Sequence, residues 1–248
     1  MKRGLIKRLV LAVVMATLLL FSLAYWWLDN LAHEIFGTVL FSLIGWHIAR
    51  NRNGLKALFR FPCDLSGAIT LALHLFMIVA VVALLLTSLL ISKSVFSIFA
   101  LQESFYLRDI HWFVGYWVVI LVGVHVGVHW TRVMAMVGLV LKVPYQSMIR
   151  TMGLRIAAVL MAEYGVWSFS VLGAWTKLTF NYSLDFWDFT VAVISFFAHW
   201  VAVLCLAAII AHYVMVVARL VARRPALTSK ATFPVRNGSP LDRQTHQL

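Results

Sequence analysis

Residues 33–47 read HEIFGTVLFSLIGWH, and residues 111–125 read HWFVGYWVVILVGVH. Both stretches are mostly apolar, begin and end with histidine, and carry glycine at their fifth and thirteenth positions. Such a repeat predicts two matching helices whose histidines stand in the same register. We therefore expect the fold to be organised around a pair of apolar, histidine-bearing helices.

The rest of the chain has the composition of an integral membrane protein. Of its 248 residues 62% are hydrophobic and 12% charged, whereas soluble domains average about 25% charged residues. Apolar runs long enough to cross a bilayer core of about 30 Å recur along the chain. They predict an all-α protein with six transmembrane helices, at residues 9–27, 31–49, 66–91, 110–131, 156–174 and 190–218. Residues 1–224 then form one transmembrane domain, and residues 225–248 a flexible cytoplasmic tail.

The basic residues predict the orientation of these helices. Eighteen of the 21 lysines and arginines fall on one side of the six spans, and the other side holds Lys93, Arg108 and Lys177. The positive-inside rule places the larger group, and with it both termini, in the cytoplasm. The net charge of +12 is thus explained by topology and does not indicate nucleic-acid binding. We expect a multi-pass protein of a bacterial or archaeal cytoplasmic membrane.

The small number of cysteines excludes several kinds of covalent or metal site. Cys63 and Cys205 are the only cysteines, which excludes a disulfide framework, covalent haem attachment through Cys-x-x-Cys-His, and a four-thiolate iron–sulfur cluster within this chain.

Residues 22–24, Ser-Leu-Ala, loosely match a signal-peptidase site after a basic start. The apolar run continues past them into Trp26, so an uncleaved anchor is favoured.

Helical geometry places the four repeated histidines at two depths. Fourteen residues separate the histidines within each stretch, which leaves them within about 40° of one another and about 21 Å apart along the helix. The second and fourth spans run parallel because one full crossing separates them. His33 and His111 therefore share an outer depth, and His47 and His125 share an inner depth.

Two opposed imidazoles are ligands that suit haem iron. The outer and the inner pair therefore predict two haem b groups, with the four histidines as the iron ligands of a haem-binding helical bundle. Gly37 and Gly115 lie one turn from the outer histidines on the same face, where a missing side chain would admit a flat macrocycle. Gly45 and Gly123 point away from their neighbouring histidines and predict close helix packing.

Further polar residues lie where they could support the two haems. Haem propionates seek cations and hydrogen-bond donors near the membrane faces, and the candidates are Arg50 and Arg132 inside and Arg108 outside. Topology or contact with lipid headgroups is nevertheless the favoured explanation for each of these arginines. His129 lies one turn beyond His125, but a spacing of about 27 Å from His111 does not match the roughly 21 Å of the second span. We therefore assign His129 to a propionate or to the inner interface.

The repeat resembles transmembrane cytochromes b, in which two helices each carry two ligands about four turns apart. The segments 33–37 and 123–130, together with His47, resemble the flavinylation-associated cytochrome family. This resemblance covers residues 31–131 and leaves the first and the last two spans without support. It implies electron exchange with a covalently flavinylated, FMN-carrying protein outside the membrane. A quinone is the candidate partner within the membrane.

Several alternatives stay open. His74, His199 and His212 fit hydrogen-bonded core histidines, a quinone or proton site, or ligands of a third haem. Glu163 fits a proton carrier or a partner of a buried histidine. The chain could also be the cytochrome b anchor of a quinone-linked dehydrogenase, reductase or hydrogenase, in which case the substrate chemistry belongs to another subunit. A histidine-lined metal transporter is the alternative from another functional class.

Overall fold

The computed structural model describes residues 2–58, 65–101, 105–142, 148–181 and 187–230, and these parts of the chain are helical, with no strand. A 3₁₀ turn occupies Ser97–Phe99. The helices are α1 (Lys2–Leu23), α2 (Tyr25–Arg50), α3 (Arg52–Leu58), α4 (Leu65–Ile91), α5 (Phe105–Val128), α6 (Trp130–Leu141), α7 (Met148–Val171), α8 (Ala174–Leu178) and α9 (Val193–Lys230).

Six of these helices are long and apolar enough to cross a membrane, namely α1, α2, α4, α5, α7 and α9. The six predicted spans are therefore confirmed as helices, but several of their ends differ from the predicted ones by five residues or more, most of all at the start of α7 and the end of α9. Helix α9 includes residues 225–230 of the predicted tail, and residues 231–248 lie outside the described part of the chain. Cys63 also lies outside it, and Cys205 is a half-buried free thiol.

Helix α9 is central because small residues let its neighbours approach closely. It packs along α5 and α7, and α5 packs in turn on α4. A Cβ atom added to Gly123 would lie 2.5 Å from the carbonyl oxygen of Leu204 on α9. One added to Gly127 would collide with the carbonyl oxygen of Ala208 on the same helix. The predicted packing role of Gly123 is thus confirmed. The same prediction is wrong for Gly45, which is exposed and has no atom within 4 Å of a Cβ position.

Helix α2 packs along α1. Among the described residues it does not pack along α4 or α5. The helix is broken near its start at Asp29, whose φ of 65° and ψ of 174° are rarely adopted by residues other than glycine. The straight segment that carries both α2 histidines therefore begins after this kink. The separation of α2 from α4 and α5 leaves room for a cavity between them.

Candidate functional site

Helices α2 and α5 bring His33 and His111 together, in the half of the bundle that the charge pattern predicts to be the outer one. Their ring centroids lie 6.0 Å apart, and the ring planes form an angle of 72°. A metal–imidazole bond of about 2.0–2.1 Å places the centroids of two opposed ligands roughly 6 Å apart. The rings of the outer pair are therefore close enough for both imidazoles to bind one metal ion.

Hydrogen bonds hold both outer rings by the same nitrogen. Nδ1 of His33 lies 2.8 Å from the carbonyl oxygen of Ser22, which can only accept, so the ring donates. Nδ1 of His111 lies 3.2 Å from the hydroxyl of Thr87. That hydroxyl donates its own proton to the carbonyl of Ala83 and is left to accept from the ring. Both histidines thus keep a free Nε2 lone pair, as metal-bound histidines do.

Because Ser22 belongs to α1, the first span takes part in this site, although the resemblance to known cytochromes does not extend to it. The segment around the loosely matching cleavage site is also packed into the bundle, since Ala24 has no exposed surface. Helix α1 thus contributes the carbonyl group that orients His33 in this fold.

A cavity of about 1560 Å³ opens beside the outer histidine pair. Its volume exceeds the roughly 300–1,000 Å³ that is usual for small-molecule sites, so it has room for a macrocycle of the size of haem. The walls are largely apolar and aromatic, as a buried planar ligand requires. They include Leu40, Phe41, Leu84, Tyr116, Phe196 and Trp200.

Both glycines predicted to admit a macrocycle line this cavity. A Cβ atom on Gly37 would meet nothing within 4 Å, and one on Gly115 would meet only Cδ1 of Leu84, at 3.9 Å. Neither glycine is therefore needed for helix packing within the described residues. Their positions leave open space on the face that carries the outer histidines.

The three basic residues predicted on the outer side, Lys93, Arg108 and Lys177, all line the same cavity. Each is placed to attract an anionic group entering from that side. Arg108 lies near the outer pair and also contacts the ring of Phe105, 5.6 Å from its centroid. Together with the oriented histidines, the open glycine face and the apolar walls, this basic rim fits a haem with its two anionic propionates.

Glu34 is a feature of the site that the sequence analysis missed. Its carboxylate accepts hydrogen bonds from five groups: the Asn30 side chain (2.9 Å), the Ser92 hydroxyl (2.8 Å), and the backbone N–H groups of Lys93 (2.7 Å), Ser94 (3.2 Å) and Val95 (2.6 Å). It therefore ties the chain that follows α4 to α2, beside His33. The available signal was an acidic residue within an apolar span, which is rarely without a role.

The inner histidines are grouped differently from the outer pair. The ring of His125 contacts His74, at 5.2 Å between centroids, and His129, at 4.8 Å. His47 lies within electrostatic range of His125 but not in ring contact with it, and its ring lies beside the Asn51 side chain. The structure thus joins His125 to two histidines that the repeat did not include.

The inner arginines lie near the predicted inner site without contacting its histidines directly. Arg50 is exposed, and its guanidinium lies 5.9 Å from the ring centroid of Trp46 on the same helix. Arg132 is also exposed and acts electrostatically on His125 and His129. Both positions are compatible with contacts to propionates and equally with contacts to headgroups.

The other polar residues in the spans have simpler surroundings. His199 is 3% exposed and shares a hydrogen bond of 2.8 Å with the hydroxyl of Ser168, which is the environment of a core histidine. His212 contacts the rings of Trp130 and Tyr213. Glu163 is exposed on α7 and makes no hydrogen bond or ion pair with the described residues, so it has no buried histidine as its partner there.

Comparisons with protein families, with curated proteins and with solved structures find no significant match. The geometry of the described residues and the repeat in the sequence are therefore what indicates a function.

Proposed function

We propose that this protein carries electrons across the membrane as a di-haem b-type cytochrome. The observation that carries the proposal is the outer site, where the rings of His33 and His111 lie 6.0 Å apart, each anchored through Nδ1, beside a cavity of about 1560 Å³. Bound haem would supply an iron centre that gains and loses one electron. The partners proposed are a quinone in the membrane and a flavinylated, FMN-carrying protein outside it.

The residues of this chain would bind, orient and insulate the outer cofactor. His33 and His111 would hold the iron through Nε2, while Ser22 and Thr87 keep the rings in the required tautomer. Arg108 would neutralise a propionate at the outer rim. The apolar walls exclude water, which is one way in which a protein sets a haem potential.

The inner haem is proposed on the repeat, with His47 and His125 as its ligands. Support comes from the matched spacing of 14 residues on two helices and from the electrostatic proximity of these two histidines. Arg50, Arg132 and His129 would serve its propionates near the inner face. The protein would then hold one haem in each half of the bilayer.

The orientation is proposed from charge, with both termini in the cytoplasm of a bacterium or archaeon. This orientation puts the cavity rim, with Lys93, Arg108 and Lys177, on the outer side. It would therefore expose the outer haem edge to an extracytoplasmic redox partner. A cytochrome subunit anchoring a larger dehydrogenase, reductase or hydrogenase would use the same site with a different partner.

The second candidate function, a metal transporter, is favoured by one observation, the cluster of His74, His125 and His129. The outer cavity does not extend to that cluster, because none of the three residues lines it. A transporter needs a path past its ion site, so the outer cavity gives more support to the cytochrome.

The difference between the dithionite-reduced and oxidised visible spectra of the purified protein tests the proposal. We expect a b-type spectrum, with about two haems per chain by pyridine haemochrome assay. A folded preparation without haem, from cells well supplied with it, would exclude the cytochrome. A spectrum with haem but no copurifying large subunit would favour the flavinylated carrier over the anchor role.

Replacement of Thr87 by valine should weaken the hold on the outer haem. Valine has nearly the same shape but cannot accept from Nδ1 of His111, which is 3.2 Å from the hydroxyl. Loss of such an outer hydrogen bond typically costs about 10–100-fold in metal affinity. The measurement is the transfer of haem to excess apomyoglobin, and Thr87→Ser, which keeps the hydroxyl, should behave as the unmodified protein does. Equal transfer from all three proteins would contradict a role for this hydrogen bond.

A further inference from the structure

The inner half of the bundle contains three histidines that converge on one point. Ring centroids are separated by 5.2 Å for His74 and His125, 5.6 Å for His74 and His129, and 4.8 Å for His125 and His129. One ligand nitrogen from each residue lies within 4.8 Å of the other two. We call this cluster the inner trio.

The distances between ring centroids differ between the inner trio and the outer pair, and the difference bears on the kind of metal site that each group of histidines suits. Ligands that subtend a tetrahedral angle at one ion, with bonds of about 2.0–2.1 Å, have centroids roughly 5 Å apart, whereas opposed ligands have centroids roughly 6 Å apart. Two of the distances in the inner trio, 4.8 and 5.2 Å, match the first arrangement, and the third, 5.6 Å, lies between the two values. The outer pair, at 6.0 Å, matches the second arrangement. Because haem iron takes protein ligands only above and below its macrocycle, the trio as a set does not suit haem.

Ring nitrogens of the trio are also available to bind a metal ion. Nδ1 of His74 lies 2.6 Å from the carbonyl oxygen of Thr70, so this ring donates there and keeps its Nε2 lone pair free. Nδ1 of His125 is buried and has no hydrogen-bond partner among the described residues, which is costly unless something else binds it. His125 and His129 are four residues apart, the spacing that places two zinc ligands on one helical face.

We propose that the inner trio is a binding site for a non-haem transition-metal ion. Three imidazoles without a carboxylate favour ions such as Zn²⁺, Co²⁺ or Cu²⁺ over Ca²⁺ and Mg²⁺, and the fourth position stays open to water. Arg132 and Arg219 act electrostatically on His129, and their charge lowers the affinity without removing a ligand. The proposal goes beyond the haem function, and since His125 cannot bind haem iron and this ion at once, inner haem and ion are alternatives.

Equilibrium dialysis of the full-length protein against Zn²⁺, followed by elemental analysis, tests the site. The protein is purified in detergent with an affinity tag that contains no histidine, and zinc and iron are counted in the same sample. We expect one zinc for each chain whose inner site holds no haem, because both would need His125, and at least tenfold weaker binding after His74→Gln or His129→Gln. His212→Gln is the matched control, because this histidine contacts aromatic rings outside the trio, and it should bind zinc normally.

X-ray absorption at the zinc edge of the unmodified protein gives a second test that needs no variant. Three imidazole nitrogens at about 2.0–2.1 Å are expected. Absence of zinc binding, unchanged binding in both trio variants, or a zinc ion with fewer imidazoles would each overturn the site. Iron content reports separately on the cytochrome: zinc without haem would overturn only the proposed function, and two haems without zinc would overturn only this inference.

Discussion

Alanine in place of His33 or His111 is expected to lower the haem content from about two per chain to about one. The two residues belong to the outer pair, and no other histidine makes a ring contact with either of them among the described residues. Removal of either residue would leave a bound haem with a single protein ligand, and the opposite imidazole would face the open cavity. The haem that remains should keep the spectrum of a six-coordinate b-type centre. Pyridine haemochrome assay and reduced-minus-oxidised spectra of the purified variants provide the measurement.

The control for this experiment is His212→Ala, which removes a histidine from a span without touching the outer pair and should retain both haems. Comparison with His47→Ala and His74→Ala then shows which histidine the inner haem uses with His125. Full haem content in both His33→Ala and His111→Ala would refute the outer assignment. Loss of all haem in either variant, with the helical content preserved, would mean that the two sites do not fill independently.

The six spans could be predicted from hydropathy alone, because every backbone polar group in a bilayer core has to be satisfied within its own helix. The outer pair could be predicted because a helix fixes the height and the face of a side chain from its position in the chain. Gly37 and Gly115 follow from the same register, and the cavity beside them is consistent with their predicted role. These successes all depend on local periodicity.

The inner site could not be predicted in the same way, since equal depth does not determine the lateral distance between helices. Helix α2 packs along α1 and is separated from α5. The ring of His47 therefore does not contact that of His125. His74 comes from α4, which packs on α5 but carries no copy of the repeat. Only the packing of α4 on α5 shows that His74 and His125 are neighbours.

Helix packing also separates two glycines that the sequence treats alike. Gly45 and Gly123 occupy equivalent positions of the repeat, yet only Gly123 lies against another helix. The repeat therefore predicts the face on which a residue lies, but not whether a neighbouring helix covers that face. Glu34 illustrates the same limit, because four of its five hydrogen-bond partners follow α4, about 60 residues further along the chain.

Replacement of Gly127 by alanine is expected to have the largest effect on stability. The added Cβ would collide with the carbonyl oxygen of Ala208 and lie 2.8 Å from the Cβ of Ala211. Since the nearest obstacle is backbone, α5 and α9 have to move apart, and such overpacking costs about 1–3 kcal/mol or more in free energy of unfolding. Helix α5 carries His111 and His125, so haem content should fall together with the melting temperature.

Gly45→Ala is the matched control, because it introduces the same methyl group on a histidine-bearing helix where no atom lies within 4 Å. Alanine is the better helix former by about 0.5–1 kcal/mol, so this variant should be as stable as the unmodified protein or slightly more so. Thermal unfolding followed by circular dichroism in one detergent compares the two variants, and haem is counted before heating. If Gly127→Ala has the same melting temperature as Gly45→Ala, the contact between α5 and α9 is looser than described. If it melts early but retains both haems, the histidines do not depend on that contact for their positions.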